Sequence, residues 1–199
     1  MSPLSDEDER FLLAIARRSV EAAVQGRGLP DPQEFSPALA QKAGAFATLR
    51  RRRALRGCIG QVEPRHPLVR AVPECAASAA LHDPRFPPLV QAELSEITIE
   101  ISVLSPPFET RAEDIIVGRH GLVVSSGFQR GLLLPQVAVE WNWDREKFLD
   151  ETCLKAGLQA DAWRRGARIR AFTTQVFAET QGSTAIPALL AGRSPGRMK

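Results

Sequence analysis

The sequence predicts an α+β protein, and three observations predict it. Segments with helical periodicity are bounded by capping residues, short runs alternate apolar and polar residues, and turn-forming residues separate those runs as they do in hairpins. At 199 residues, 44% hydrophobic and 25% charged, the chain can bury a sizeable interior, as one domain or as two small ones sharing a core. The same composition excludes collagen, a disulfide scaffold and a wholly disordered chain.

The first helix follows Ser5, which stands three residues before Asp8 in a capping-box arrangement. Leu12, Ile15, Ala16, Ser19, Ala22 and Ala23 form its apolar stripe, and Gly26 and Gly28 stop it. Ser36-Pro37 opens a short helix expected to reach about Gly44. A hairpin follows, with strands from Ala45 to Leu49 and from Ala54 to Val62 joined at the run Arg50-Arg51-Arg52-Arg53. Pro67 to Leu81 reads as helical, with a kink or restart expected at Pro73. Ile97 to Leu104 is the plainest strand, its isoleucines alternating with Thr98, Glu100 and Ser102. Further strands are expected at 122–124, at 132–134 and near 169–179, with a helix from Asp144 to about Ala156 stopped by Gly157. Residues 181–199, with glycine, proline and serine, are expected to form a flexible tail.

Charge and cysteine usage narrow the setting. Lys+Arg 26 against Asp+Glu 23 leaves a surplus of +3, too small to mark a nucleic-acid binder by itself. The preponderance of arginine over lysine and the lack of tyrosine fit GC-rich codon usage. Three cysteines, an odd and small number, point to free thiols in a reducing compartment. The acidic start has neither the basic nor the apolar region of a secretory signal, and no apolar run reaches the roughly 18–20 residues of a membrane helix. A cytoplasmic location is expected.

Three places can carry chemistry. In Leu55-Arg56-Gly57-Cys58-Ile59-Gly60, strand alternation puts Arg56 and Cys58 on one face, where a guanidinium favours a reactive thiolate. Gly57 and Gly60 then admit a close approach to the backbone, by a ligand or by another segment. The competing reading of Cys58 is a small buried thiol in tight packing; Cys75 and Cys153, on apolar helix faces, are read as core. His120, between Gly118 and Gly121, is either a proton-transfer group or a turn histidine bonded to backbone. Gln136 and Glu140 interrupt an apolar run and, if buried, need partners, for which Arg85 in Asp83-Pro84-Arg85-Phe86 is a candidate as salt bridge or substrate clamp. The arginine run is either a phosphate patch or a solvated hairpin tip. No dinucleotide, P-loop, nucleophile-elbow or zinc-protease motif occurs, the three histidines are too scattered to suggest a metal site, and no cofactor is indicated.

These motifs also carry a resemblance. Gly44 to Leu49, L-R-G-C-I-G at 55–60, D-P-R-F at 83–86, I-S-V-L-S-P-P at 101–107, G-R-H-G-L at 118–122, L-L-P-Q-V-A at 133–138, and Cys153 to Leu158 follow in the order found in the AMMECR domain family, whose prokaryotic members are called AmmeMemoRadiSam system protein A. The chain resembles that family from the first helix to about Glu179, departing from it at Pro73 and at the four-arginine turn. The resemblance implies one domain over 1–180 made of two interleaved subdomains, a larger α/β part and a smaller one, with a cleft between them. It implies a pathway shared with Memo-type and radical SAM proteins and names no substrate. The expected function is binding or modification of a small molecule around the L-R-G-C-I-G strand. Cys58 and His120 are its candidate catalytic residues, and Arg56, Gly57, Arg85, Gln136 and Glu140 its candidate substrate contacts. The alternatives are a non-catalytic partner domain for those proteins and, lower, nucleic-acid binding.

Overall fold

The computed structural model describes residues 3–180; the expected tail, 181–199, lies outside them. The chain divides into two compact units: a larger one, residues 3–103 with 176–180, and a smaller one, residues 104–175. The α+β class and the division into a larger and a smaller subdomain are both found.

In the larger unit, α1 (Asp6–Val24) begins as expected. The Ser5 hydroxyl accepts from the Asp8 N–H, the Asp8 carboxylate accepts from the Ser5 N–H, and Asp8 is held below its usual carboxyl range by bonds to Ser36 and Ser5 that outweigh its burial. The strands β1 (Gly44–Arg51) and β2 (Ala54–Gln61) form an antiparallel hairpin beside β3 (Ile97–Leu104), with β2 at the edge. One face of β1, through Ala45, Ala47 and Leu49, is sealed against Leu12, Ile15 and Val20 of α1 and Leu68, Val72 and Ala76 of α2 (Leu68–Leu81). Of the kink or restart expected at Pro73, the restart does not occur. α2 runs unbroken because Pro73 is its sixth residue, just past the first turn, where proline forfeits a single intrahelical bond. The short helix before β1 shrinks to one turn, Pro37–Ala40.

The hairpin turn is Arg52-Arg53, and both residues have positive φ, 50° and 70°. That is the two-residue geometry normally filled by Asn-Gly, and each non-glycine residue there costs roughly 1 kcal/mol. The arginines around it are engaged by carboxylates: Arg50 faces Glu100, Arg51 bonds Glu93 and Glu96, and Arg52 reaches Glu96. Replacing Arg52-Arg53 with Asn-Gly is expected to raise the unfolding free energy by about 1 kcal/mol, since the lost Arg52 pair is mostly in water. A urea midpoint at or below that of the parent protein would show that the turn is not strained.

In the smaller unit, β5 (His120–Ser126) lies between β6 (Gln129–Leu133) and β7 (Arg168–Ala178), both antiparallel to it, and the short β4 (Phe108–Glu109) pairs with β7. One face packs Leu122, Ala171 and Ile169 against Ala138 of α3 (Pro135–Glu140) and Phe148 and Leu149 of α4 (Arg145–Lys155). Asp144 caps α4 by accepting from the Lys147 N–H, and Gly157 follows its end at positive φ, both as the sequence predicts. No helix among the described residues is long and apolar enough to cross a membrane.

Candidate functional site

Cys58 sits in the middle of β2, the exposed edge of its sheet. The hairpin register pairs it with Thr48, and its N–H and C=O point outward from that edge. An edge strand leaves such groups unpaired, and here two side chains take them. The Asp83 carboxylate accepts from the Cys58 N–H at 2.8 Å, and the Arg85 guanidinium donates to the Cys58 carbonyl at 3.3 Å. Asp83 follows the end of α2, and its Oδ1 also accepts from the Arg85 N–H, the local turn that an Asp two residues ahead makes with its own backbone. The two side chains close on each other through Arg85 Nε (2.9 Å) and Nη2 (2.7 Å).

The carboxyl of Asp83 is 2% exposed and is held far below its ordinary range. The hydrogen bonds from Arg85 are the main cause, opposed by burial and assisted by the N–H groups of Cys58 and Arg85. Asp83 in turn raises Arg85, with a smaller contribution from the Cys58 sulfur. On the strand face, Thr48 Oγ1 donates to Cys58 Sγ at 3.3 Å, a contact favoured between residues directly opposite in a pair that exchanges no backbone bonds. Cys58 is half-buried, whereas Cys75 and Cys153 are buried in the two cores. Burial pushes the Cys75 thiol up to about 11 and also raises Cys153.

In the smaller unit, His120 lines a pocket of about 530 Å³ with Phe108, Glu109, Thr110, Arg111 and Asp114. Its Nδ1 accepts from the Ile116 N–H at 3.2 Å, so the neutral ring carries its proton on Nε2. Burial, with the nearby charge of Arg119, moves its pKa below the ordinary histidine value. The ring stands edge-on to Phe108, centroids 5.9 Å apart.

The model of the AMMECR1 family matches residues 13–177. The chain belongs to the AMMECR1 family. It is 47% identical over 192 residues to a protein of Thermococcus gammatolerans, covering 90% of this chain and 94% of that one. It is 46% identical to protein PF1979 of Pyrococcus furiosus, with 90% and 91% covered. Its structure matches the crystal structure of uncharacterized protein PH0010 from Pyrococcus horikoshii with a TM-score of 0.80 at 44% identity, over 88% of this chain and 93% of that one.

Within this AMMECR1-family chain, the expected site residues fall into two groups. Arg56, Gly57, Cys58 and Arg85 lie in the larger unit, and His120, Gln136 and Glu140 in the smaller. Arg56 does not serve the thiol. It is the extra residue of a β-bulge, and its guanidinium bonds both oxygens of Glu93 and the carbonyls of Pro87 and Pro88. The cation at Cys58 is Arg85. Arg85, expected as a partner for Gln136 and Glu140, is occupied by Asp83 two residues away, and Glu140 ends a short helix in solvent where no buried partner is required. The backbone approach that Gly57 permits is made by α2, since a Cβ there would stand 2.2 Å from the Ala79 carbonyl oxygen.

Thr48, Asp83 and Glu93 escaped the sequence reading. The Asp-x-Arg spacing of 83–85 was the one local signal available for Asp83. Among the described residues no His, Cys, Asp or Glu cluster has the makings of a metal site.

Proposed function

We propose that the larger unit binds a small substrate at the L-R-G-C-I-G strand and that the Cys58 thiol is the group that reacts with it. One observation supports this above the others: the half-buried Cys58 is held at three points, by Thr48 at the sulfur and by Asp83 and Arg85 at the backbone. A hydroxyl donor and a partly exposed cation beside a positioned sulfur are the groups that a reacting thiol uses. Arg85, 54% exposed at its side chain, is the contact offered to an anionic part of the substrate. Placement beside Memo-type and radical SAM proteins is part of the same proposal and draws on the family resemblance. A docking role for the domain has support of its own in two aromatic side chains left in solvent, Phe128 at the β5–β6 turn and Trp141 after α3.

Alkylation separates a reacting thiol from an inert one. In the folded protein, iodoacetamide is expected to label Cys58 at least roughly 100-fold faster than Cys75 or Cys153, as read by peptide mass spectrometry. Equal, slow labelling of all three would remove the thiol from the proposal.

A further inference from the structure

The smaller unit carries a second cluster of charge that the Cys58 site does not use. In the registers of β5 with β6 and β7, Gly131 and Val124 share the face on which α4 rests, so Val123 and Ser125 belong to the opposite face. On that face Ser125 is paired on one side with Arg168 of β7 and on the other with Arg130 of β6. Arg170 stands opposite Val123, two residues along β7 from Arg168, and across from it on β4 is Glu109. Neighbouring strands lie about 4.8 Å apart and same-face residues about 7 Å apart along a strand. Three guanidinium stems and a serine hydroxyl are thus gathered in two adjacent rows, with the Glu109 carboxylate beside Arg168 and Arg170.

That carboxylate leaves Arg168 open to exchange. Glu109 pairs with Arg168 at 2.7 Å, and both side chains are more than half exposed, so the pair is weak and exchangeable. Arg170 is more confined. Its Nε is buried and has no acceptor among the described residues. A buried donor of this kind calls for an acceptor from elsewhere, and the planar fork of arginine matches the oxygens of a phosphoryl group.

We infer that this face of β5, β6 and β7 binds a small phosphate-bearing anion, with Arg170 and Arg168 as the principal ligands, Arg130 beside them and the Ser125 hydroxyl donating between the arginines. The occupant is a compact, multiply charged molecule, since the cationic array, among the described residues, spans three strands and two rows. The site is independent of any role of Cys58.

Titration calorimetry with pyrophosphate and with inorganic phosphate, on the full chain at low ionic strength, tests this. Saturable binding is expected, and Arg170→Gln and Arg168→Gln should each weaken it by roughly tenfold or more. Arg170→Lys, which keeps the charge and loses the fork, should fall between the parent and Arg170→Gln. Arg111→Gln, at an exposed arginine of the same unit paired with Asp114, should bind as the parent does. Thermal melts of each variant distinguish a lost ligand from a lost fold, and Arg168→Gln, at an exposed position, provides the answer if Arg170→Gln does not fold. Absence of saturable heat at roughly 10 mM pyrophosphate, or unchanged affinity in Arg168→Gln, overturns the inference. So does tighter binding of an RNA or DNA oligonucleotide, with a steep salt dependence that the same variants flatten, because the face would then serve a nucleic-acid backbone.

Discussion

Replacing Gly57 with alanine is expected to lower the unfolding free energy by roughly 3 kcal/mol. The added Cβ would lie 2.2 Å from the carbonyl oxygen of Ala79, and a helix backbone cannot turn aside as a side-chain tip can. Gly57 has no positive φ, so the cost is steric and not conformational. The displacement would not stop at the contact. Ala79 belongs to the last turn of α2, and Asp83 follows that helix, so the carboxylate holding the Cys58 N–H would move with it. Alkylation of Cys58 should therefore change along with the urea midpoint. Gly28→Ala is the control, since a Cβ there meets nothing within 4 Å, and it should alter stability by less than about 1 kcal/mol. A Gly57→Ala protein as stable as its parent would mean that α2 does not rest on the backbone of β2. The small residue would then be explained by space for a ligand instead.

The elements could be read from the sequence because each obeys a local rule. Ser5 and Asp144 cap their helices, Gly157 ends one, and the alternating isoleucines of β3 have every second residue in the core. The surroundings of Cys58 depend on a non-local detail. A two-residue turn at Arg52-Arg53 with regular pairing would set Cys58 against Ala47, whose side chain faces the core. The bulge at Arg56 shifts the register by one, and Thr48 meets the sulfur instead. Nothing in the hexapeptide reveals that shift. Arg56 departs from its expected place beside the thiol for a related reason: its partner, Glu93, is 37 residues away, and spacing along a strand carries no information about such a neighbour. His120 shows the opposite case. Its glycine-flanked position announced a turn, and the backbone bond from Ile116 is what a turn histidine makes.

Asp83→Asn is expected to cost about 2–3 kcal/mol at neutral pH, because the substitution removes a buried charge that accepts from both the Cys58 and Arg85 backbones and from the Arg85 guanidinium. The figure is below that for a fully buried pair, since Arg85 is half exposed and its released charge returns to water. The pH dependence has a definite sign. Arg85 chiefly holds the Asp83 carboxyl well below its unfolded value of about 3.9. Its contribution to stability is therefore fully present above that value and is lost as the pH falls from there toward the folded one. Glu93 and Asp8, also lowered, act in the same acid range, so the informative quantity is the difference between parent and variant. That difference should be flat from pH 5 to 7 and should shrink below about pH 4. Amide exchange adds a local readout: the Cys58 N–H, held by Asp83 alone at the sheet edge, should exchange at least roughly tenfold faster in the variant. An unchanged Cys58 amide, with acid unfolding parallel to the parent's, would show that the Asp-Pro-Arg segment does not hold the thiol-bearing strand. The geometry offered to any substrate at Cys58 would then lack its anchor.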